Sequence, residues 1–326
     1  MNVLVTGGAG YVGSVVVEML LKEGFKVVVV DSLIEGHRSA IPSDITFYKE
    51  DIGDRAAIRK ILVDNKIDAV IHMAGETLVS KSMTHPQDYF INNVAKGIEL
   101  LEAMRESGVK RIIFSSTAAL FGNPVFTPIT EEHPTEPINT YGRSKLMFEQ
   151  MLEWYNRIHG LNYVCLRYFN AAGATADHGE HHSIETHLIP IVLQVALGKR
   201  EHVNILGTDY ETRDGSCIRD YIHIEDLAMV HVGALRKMDE TGPQKLNLGN
   251  GGGYSVKEVI AAARKITGHP IPAKEADRRP GDPAVLVASS EKTHNLLGIK
   301  FKYPEIEQIV ETAWKWHSRN PDGYPD

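Results

Sequence analysis

Along its first half the chain alternates short apolar runs with stretches of helical periodicity, the pattern of a parallel sheet covered by helices on both faces. Val3 to Val5, Lys26 to Val30, Ile45 to Lys49, Ala69 to His72, Arg111 to Ser115 and Tyr163 to Arg167 predict strands. Gly13 to Glu23, Arg55 to Asn65, Gly97 to Ser107 and Tyr141 to His159 predict helices. From about Asn170 glycine, proline and histidine thicken, and the rhythm lapses until Asp226 to Lys237. The expectation is an α/β protein: a doubly wound parallel sheet in residues 1–170, rejoined by 225–250, and a smaller α+β unit in 171–326.

Composition narrows the function. At 326 residues and 43% hydrophobic content the chain exceeds one average domain and can bury a sizeable core. Its net charge of -7, with 35 scattered Lys and Arg, offers no basic field to nucleic acid or an anionic membrane. An anionic ligand must therefore be held by a few placed cations. No apolar run approaches the length of a membrane helix. Met1 to Thr6 already reads as strand, with no room for a signal peptide, so a cytoplasmic location is expected. Cys165 and Cys217 lack disulfide-type spacing and read as two buried thiols in a reducing compartment.

The turn after the first strand, Thr6 to Gly13, places Gly8, Gly10 and Gly13 in the order Gly-x-Gly-x-x-Gly at the start of a helix. Such glycines let backbone N–H groups approach a pyrophosphate at a helix N-terminus, where the dipole favours negative charge. Asp31, followed by Ser32, ends the second strand at the spacing of a carboxylate that accepts a ribose 2′-OH. That carboxylate would repel a 2′-phosphate, which favours NAD over NADP in a Rossmann-type fold. Asp51 and Ile52 follow the third strand, and Met73, Ala74 and Gly75 follow the fourth, as further cofactor candidates.

Tyr141 and Lys145 stand at i and i+4, on one face of a helix. A neighbouring cation lowers a tyrosine pKa towards working pH, fitting the phenol to take a proton from a sugar hydroxyl. Upstream, Ile112 to Thr117 is an apolar strand ending in hydroxyls, where open α/β sheets present ligand-binding groups.

With these elements in order, the sequence resembles the extended short-chain dehydrogenase/reductases and, within them, the UDP-glucose 4-epimerase family. The match runs nearly end to end. It includes Leu166 to Asn170, Leu188 to Pro190, Gly207 to Tyr210, Ile218 to His223, Asn247 to Gly249, Arg278 to Asp282 and Asn320 to Tyr324. The resemblance implies Tyr141 as base, Lys145 as its modulator, and Thr117 where the family often has serine. It places Gly7, Gly10, Tyr11, Val12, Gly13, Asp31, Ser32, Asp51, Ile52, Met73, Ala74, Gly75, Asn93, Ser115, Tyr141, Lys145 and Phe169 on NAD. Thr117, Tyr141, Asn170, His187, Leu188, Asn204, Leu206, Arg219, Tyr221, Arg279, Asp282 and Leu286 fall on a UDP-hexose.

Three positions depart from the family pattern. His187 stands where some relatives have asparagine, Phe121 replaces the usual tyrosine, and Leu286 holds a gate position that tracks acceptance of N-acetylated sugars. The implied reaction is C4 inversion through a 4-keto sugar, with tightly bound NAD reduced transiently. UDP-N-acetylglucosamine and UDP-glucuronate are alternative substrates, and a catalytically silent NAD-binding sensor or scaffold is the alternative in class. A 4,6-dehydratase would need Asp-Glu after Thr117, where Ala118 and Ala119 stand. The family also suggests a homodimer through a four-helix contact, which suits the wide apolar surface of Tyr141 to His159. Asp177 to His182 reads as a solvated loop without a metal, which the family match does not require.

Overall fold

The computed structural model describes residues 1–279 and 282–325; Pro280 and Gly281, in the Arg278 to Asp282 motif, lie outside the described residues. Seven parallel strands form the main sheet. In chain order they and their helices are β1 (Asn2–Thr6), α1 (Tyr11–Lys22), β2 (Lys26–Asp31), β3 (Thr46–Lys49), α2 (Arg55–Asp64), β4 (Ala69–His72), α3 (Val79–Ser82), α4 (Pro86–Phe90), α5 (Lys96–Ser107), β5 (Arg111–Thr117), α6 (Thr140–His159) and β6 (Asn162–Tyr168). There follow β7 (Asn170–Ala172), α7 (Leu188–Ala196), β8 (Val203–Leu206), β9 (Ile218–Arg219), β10 (Tyr221–His223), α8 (Ile224–Thr241), β11 (Gln244–Leu248), β12 (Tyr254–Ser255), α9 (Val256–Thr267), β13 (Ala273–Ala276), β14 (Val285–Leu286), α10 (Glu291–Leu297) and α11 (Ile306–Arg319).

The sheet order is β11-β6-β5-β4-β1-β2-β3, so the direction of winding reverses between β1 and β4. Open α/β sheets bind ligands in the crevice at the carboxyl ends of strands beside such a reversal. Because side chains alternate along a strand, Val3 and Val5 enter one core with α1 and α8, while Leu4 enters the other with α2, α5 and α6. Burial on both faces explains why the strands read as continuous apolar runs. Cys165 and Cys217 are free and buried.

β11 pairs in parallel with β6, and α8 packs on α1, so residues 224–248 extend the same layers. Another core, of α7, α9, α11 and β8, lies beyond them, with small sheets β7-β10, β12-β9-β14 and β8-β13. Strands of two or three residues carry too few alternations to show a period, and the sequence pattern marked none of them. The structure also sets two boundaries that matter. Helix α1 begins at Tyr11 rather than Gly13, and β5 spans Arg111–Thr117, joining the Arg111 to Ser115 run and the hydroxyl end at Thr117 in one strand. Between α4 and α5, a π-helical turn at Ile91–Ala95 is a further element the periodicity did not predict. No helix among the described residues is long and apolar enough to cross a membrane.

Candidate active site

The glycine turn is fixed by sterics. Gly7 has φ +70°, and a Cβ there would lie 2.6 Å from the Ala74 nitrogen; one at Gly13 would lie 2.1 Å from the Gly7 carbonyl oxygen. The turn thus folds tightly back on α1 and packs against the strand-end loop of β4. Gly10 caps α1 without a side-chain hydrogen bond, leaving first-turn N–H groups for a ligand, and no acidic residue occupies that turn. A pyrophosphate fits this cradle. Tyr11 donates its hydroxyl to the Gly173 carbonyl at 2.7 Å, tying the turn to the chain beyond β7. Val12 and Met73 pack on one face of the sheet and Ala74 on the other.

Asp31, buried at the end of β2, accepts from the Ala9 and Leu33 amides at 2.9 and 2.8 Å. Burial raises its carboxyl above the ordinary value, against the pull of those bonds. Ser32 follows it, partly buried. Asp51 meets Lys96 Nζ at 2.5 Å and the Gly53 amide at 2.8 Å, beside buried Ile52. Asn93, in the π-helical turn, accepts from the Glu76 amide at 2.8 Å and donates to the Glu76 carbonyl and Ser144, each at 3.0 Å. Its amide group therefore fastens the Gly75 loop to α6, and a Cβ on Gly75 would strike Asn93 Oδ1 at 2.7 Å.

Helix α6 is aimed by the Asn139 side chain, which accepts from the Gly142 amide at 2.8 Å, and by Gly142, where a Cβ would meet the Ala119 carbonyl at 2.4 Å. That approach sets Tyr141 and Lys145 against the end of β5. Burial raises the Tyr141 pKa, and a hydrogen bond with the Thr117 hydroxyl pulls it down. Lys145, 3% exposed, donates to the Ser115 carbonyl at 3.0 Å, and its ammonium lies 6.0 Å from the Tyr141 ring centroid. Desolvation lowers its pKa to about 8. The spacing argument is thus corrected in one respect: the pair shares a helix face, but the ammonium serves a carbonyl and the phenol stays above its ordinary value. Ser116 faces away, donating to buried Glu149 at 2.6 Å.

The substrate candidates gather beyond β6. Asn170 donates through its side-chain amide to the Asp220 carbonyl at 2.7 Å, and it pairs opposite buried Tyr221. Leu286 pairs opposite Arg219, and it packs with Phe169 on a cluster of Ala118, Phe121 and Leu146 that flanks Thr117 and Lys145. Arg279 donates to Asp282 at 3.0 and 2.8 Å, and Arg219 lies 3.4 Å from the same carboxylate, so two guanidiniums share one counterion. Asn204 and Leu206 share the exposed face of β8 and stand outside the Leu286 cluster. Leu188 opens α7 and packs on the C-terminal core.

His187 caps α7, half exposed, with Nδ1 2.8 Å from Glu180 and 3.1 Å from Glu185. Burial lowers its pKa, but these carboxylates outweigh burial and hold it well above the histidine range. The solvated-loop reading of Asp177 to His182 is corrected: His178 and Glu180 are 8% and 5% exposed. Chain folding brings distant partners over these residues, which short-range polarity does not reveal. Sequence reasoning also passed over Asp220. Its buried carboxylate accepts from the Asn250, Gly251 and Ala288 amides at 2.7, 2.9 and 3.0 Å, drawing two loops together beside Arg219 and Tyr221. The glycine run Gly249 to Gly253 was the available signal, since a Cβ at Gly249 would strike that carboxylate.

Comparison with known proteins agrees with this arrangement. The UDP-glucose 4-epimerase of Halalkalibacterium halodurans is 55% identical over 99% of this chain and 98% of its own. A crystal structure of a UDP-glucose 4-epimerase superposes with TM-score 0.97 at 49% identity, covering all of both chains. The Bifidobacterium longum UDP-glucose 4-epimerase, solved in complex with NAD+ and UDP, gives 0.93 at 39% identity over 99% of this chain and 100% of its own. Residues 3–249 match the NAD dependent epimerase/dehydratase family, and the chain belongs to that family.

Proposed function

We propose that the chain is a UDP-glucose 4-epimerase, interconverting UDP-galactose and UDP-glucose with NAD retained as a prosthetic group. The observation that carries this is the meeting of Thr117, Tyr141 and Lys145 at the sheet's carboxyl edge, beside a glycine cradle shaped for pyrophosphate. Full-length relatives with that activity support it. Bound NAD supplies a hydride acceptor and donor, and its oxidised nicotinamide brings positive charge to the pocket. Tyr141 takes the proton of the sugar 4-OH and later returns one, while the Thr117 hydroxyl donates to the reacting oxygen. Lys145 would hold the nicotinamide ribose, and the hydrogen bond with Thr117 counters the burial that keeps the phenol protonated.

Arg219 and Arg279 hold the UDP diphosphate by trading part of their pairing with Asp282 for phosphate oxygens. His187, charged through its carboxylate neighbours, is a further donor there. Anchoring through UDP leaves the hexose few directional bonds, so the 4-keto sugar would be free to turn and present its other face to the bound cofactor. In this reading residues 1–170 with 225–250 hold NAD and 171–326 supply most of the UDP-sugar contacts.

A homodimer is part of the proposal. Trp154 and Ile158 on α6 are 59% and 64% exposed, and Ile91 in the neighbouring π-helical turn is 52% exposed, an apolar surface that a second copy would cover. So is a cytoplasmic location, which suits two free buried thiols. Incubating the protein with UDP-galactose without added cofactor tests the reaction. UDP-glucose should appear, and Tyr141→Phe should keep NAD while losing most turnover. No conversion even with NAD supplied, or full turnover in the variant, overturns the assignment; conversion of UDP-N-acetylglucosamine or UDP-glucuronate alone would move it to that substrate.

A further inference from the structure

Four donor atoms converge between the glycine turn and the start of α7. One ligand atom each from Glu180, His182, Glu185 and His187 lies within 4.8 Å of all the others. The carboxylates are 5% exposed as side chains, and what faces them is imidazole. His187 Nδ1 stands 2.8 Å from Glu180 and 3.1 Å from Glu185; His182 Nδ1 stands 3.4 Å from each.

The nitrogen–oxygen separations, 2.8–3.4 Å, are close to those of a tetrahedral site, with Glu185 meeting His187 through Oε1 and His182 through Oε2, so binding one ion needs a small turn of that carboxylate. Zinc bound to nitrogen and oxygen at about 2.0–2.1 Å places neighbouring ligand atoms about 3.3 Å apart. Three of the four donors are preset in other ways. Glu185 accepts from the Thr186 and His187 amides at 2.8 and 2.7 Å, which anchors its Oε1. The His182 and His187 rings lie 5.2 Å apart at 44° and pack against each other beside the two carboxylates. The Tyr11 ring packs edge-on to His182, walling the cluster on the side of the glycine turn.

We propose that Glu180, His182, Glu185 and His187 form a binding site for one divalent transition-metal cation, of which zinc is the best fit. Mixed imidazole and carboxylate donors in a four-coordinate array suit zinc over magnesium or calcium, which prefer larger all-oxygen shells. The charges close as well. Two buried carboxylates neutralise a divalent cation. The cation would staple the loop after β7 to α7 through His187 Nδ1, leaving that ring's Nε2–H for the diphosphate. It takes no step in the epimerisation, and Glu180 and His182 lie outside the residues assigned to substrate, so variants there read metal binding and the reaction separately.

The test uses the NAD-loaded protein after chelation and dialysis, titrated calorimetrically with zinc chloride. One equivalent should bind per chain with Kd below about 1 μM at neutral pH, weakening as pH falls and protons compete. Cobalt in place of zinc should give the intense visible absorption of a tetrahedral site. Glu180→Gln and His182→Ala should each weaken binding more than 100-fold while retaining NAD, which shows that the variants are folded. Absence of stoichiometric binding by the parent, or unchanged binding in both variants, overturns the proposal and leaves the four groups as paired ions.

Discussion

Replacing Lys145 with methionine should make the cofactor-free protein more stable at neutral pH while removing its activity. The ammonium is buried among apolar neighbours, 4.9 Å from the Phe114 ring centroid, with the Ser115 carbonyl as its hydrogen-bond partner. Burial lowers its pKa from 10.5 to about 8, which at about 1.4 kcal/mol per unit is a cost of about 3 kcal/mol for keeping it charged. Methionine fills a similar volume without that cost. It forfeits the hydrogen bond, worth about 1.5–2 kcal/mol to a charged donor, so a net gain of about 1–2 kcal/mol is expected at pH 7.

The sign with pH is fixed, because the folded pKa lies below the unfolded one. The cost is fully present below pH 8 and disappears as pH rises to about 10.5, where both states are neutral, so parent stability rises across that window relative to the variant. Urea denaturation of NAD-stripped protein at pH 7 and pH 9.5 reads this directly, and turnover of UDP-galactose by the same variant should fall at least about 100-fold. A variant less stable than the parent at pH 7, or a stability difference independent of pH, would refute the claim that Lys145 is held in place at a cost for function.

Three other expectations follow from the same geometry. Arg167→Met should destabilise the fold by about 3–5 kcal/mol in chemical denaturation, since it strands the fully buried Glu149 carboxylate; adding Glu149→Met should recover much of that loss. Arg279→Ala should raise KM for UDP-galactose about 10-fold with little change in kcat, measured by initial rates, as the loss of one charge-assisted diphosphate contact predicts. Ile158→Asp, on the exposed face of α6, should convert a dimer to a monomer in light scattering at micromolar concentration without loss of helical circular dichroism.

What was legible in the sequence divides by physical cause. Six of the seven main-sheet strands were readable because the inner ones are buried on both faces and read as apolar runs bounded by turn residues, whereas β11, Gln244-Lys245-Leu246-Asn247-Leu248, is too polar to show as one. The glycine turn was readable because Gly7 and Gly13 answer steric demands that no other residue meets at those distances. Beyond Asn170 the strands shrink to a few residues and their pairings are long-range, so no local period encodes them. Side-chain roles were less legible than positions. The i, i+4 spacing placed Tyr141 and Lys145 on one face, but a buried ammonium turns to the strongest acceptor in reach, and that is the Ser115 carbonyl. The same limit explains the histidine-rich segment. His178 and His182 stand at the spacing of one helical turn, but the chain there is not helical, and the ligand pattern is instead the repeat Glu-x-His in Glu180-His181-His182 and Glu185-Thr186-His187. Each repeat brings a carboxylate close to an imidazole, His182 Nδ1 at 3.4 Å from Glu180 and His187 Nδ1 at 3.1 Å from Glu185, and a loop folding the two repeats together makes a four-donor cluster. A metal-ligand pattern is therefore legible only against the backbone conformation that carries it.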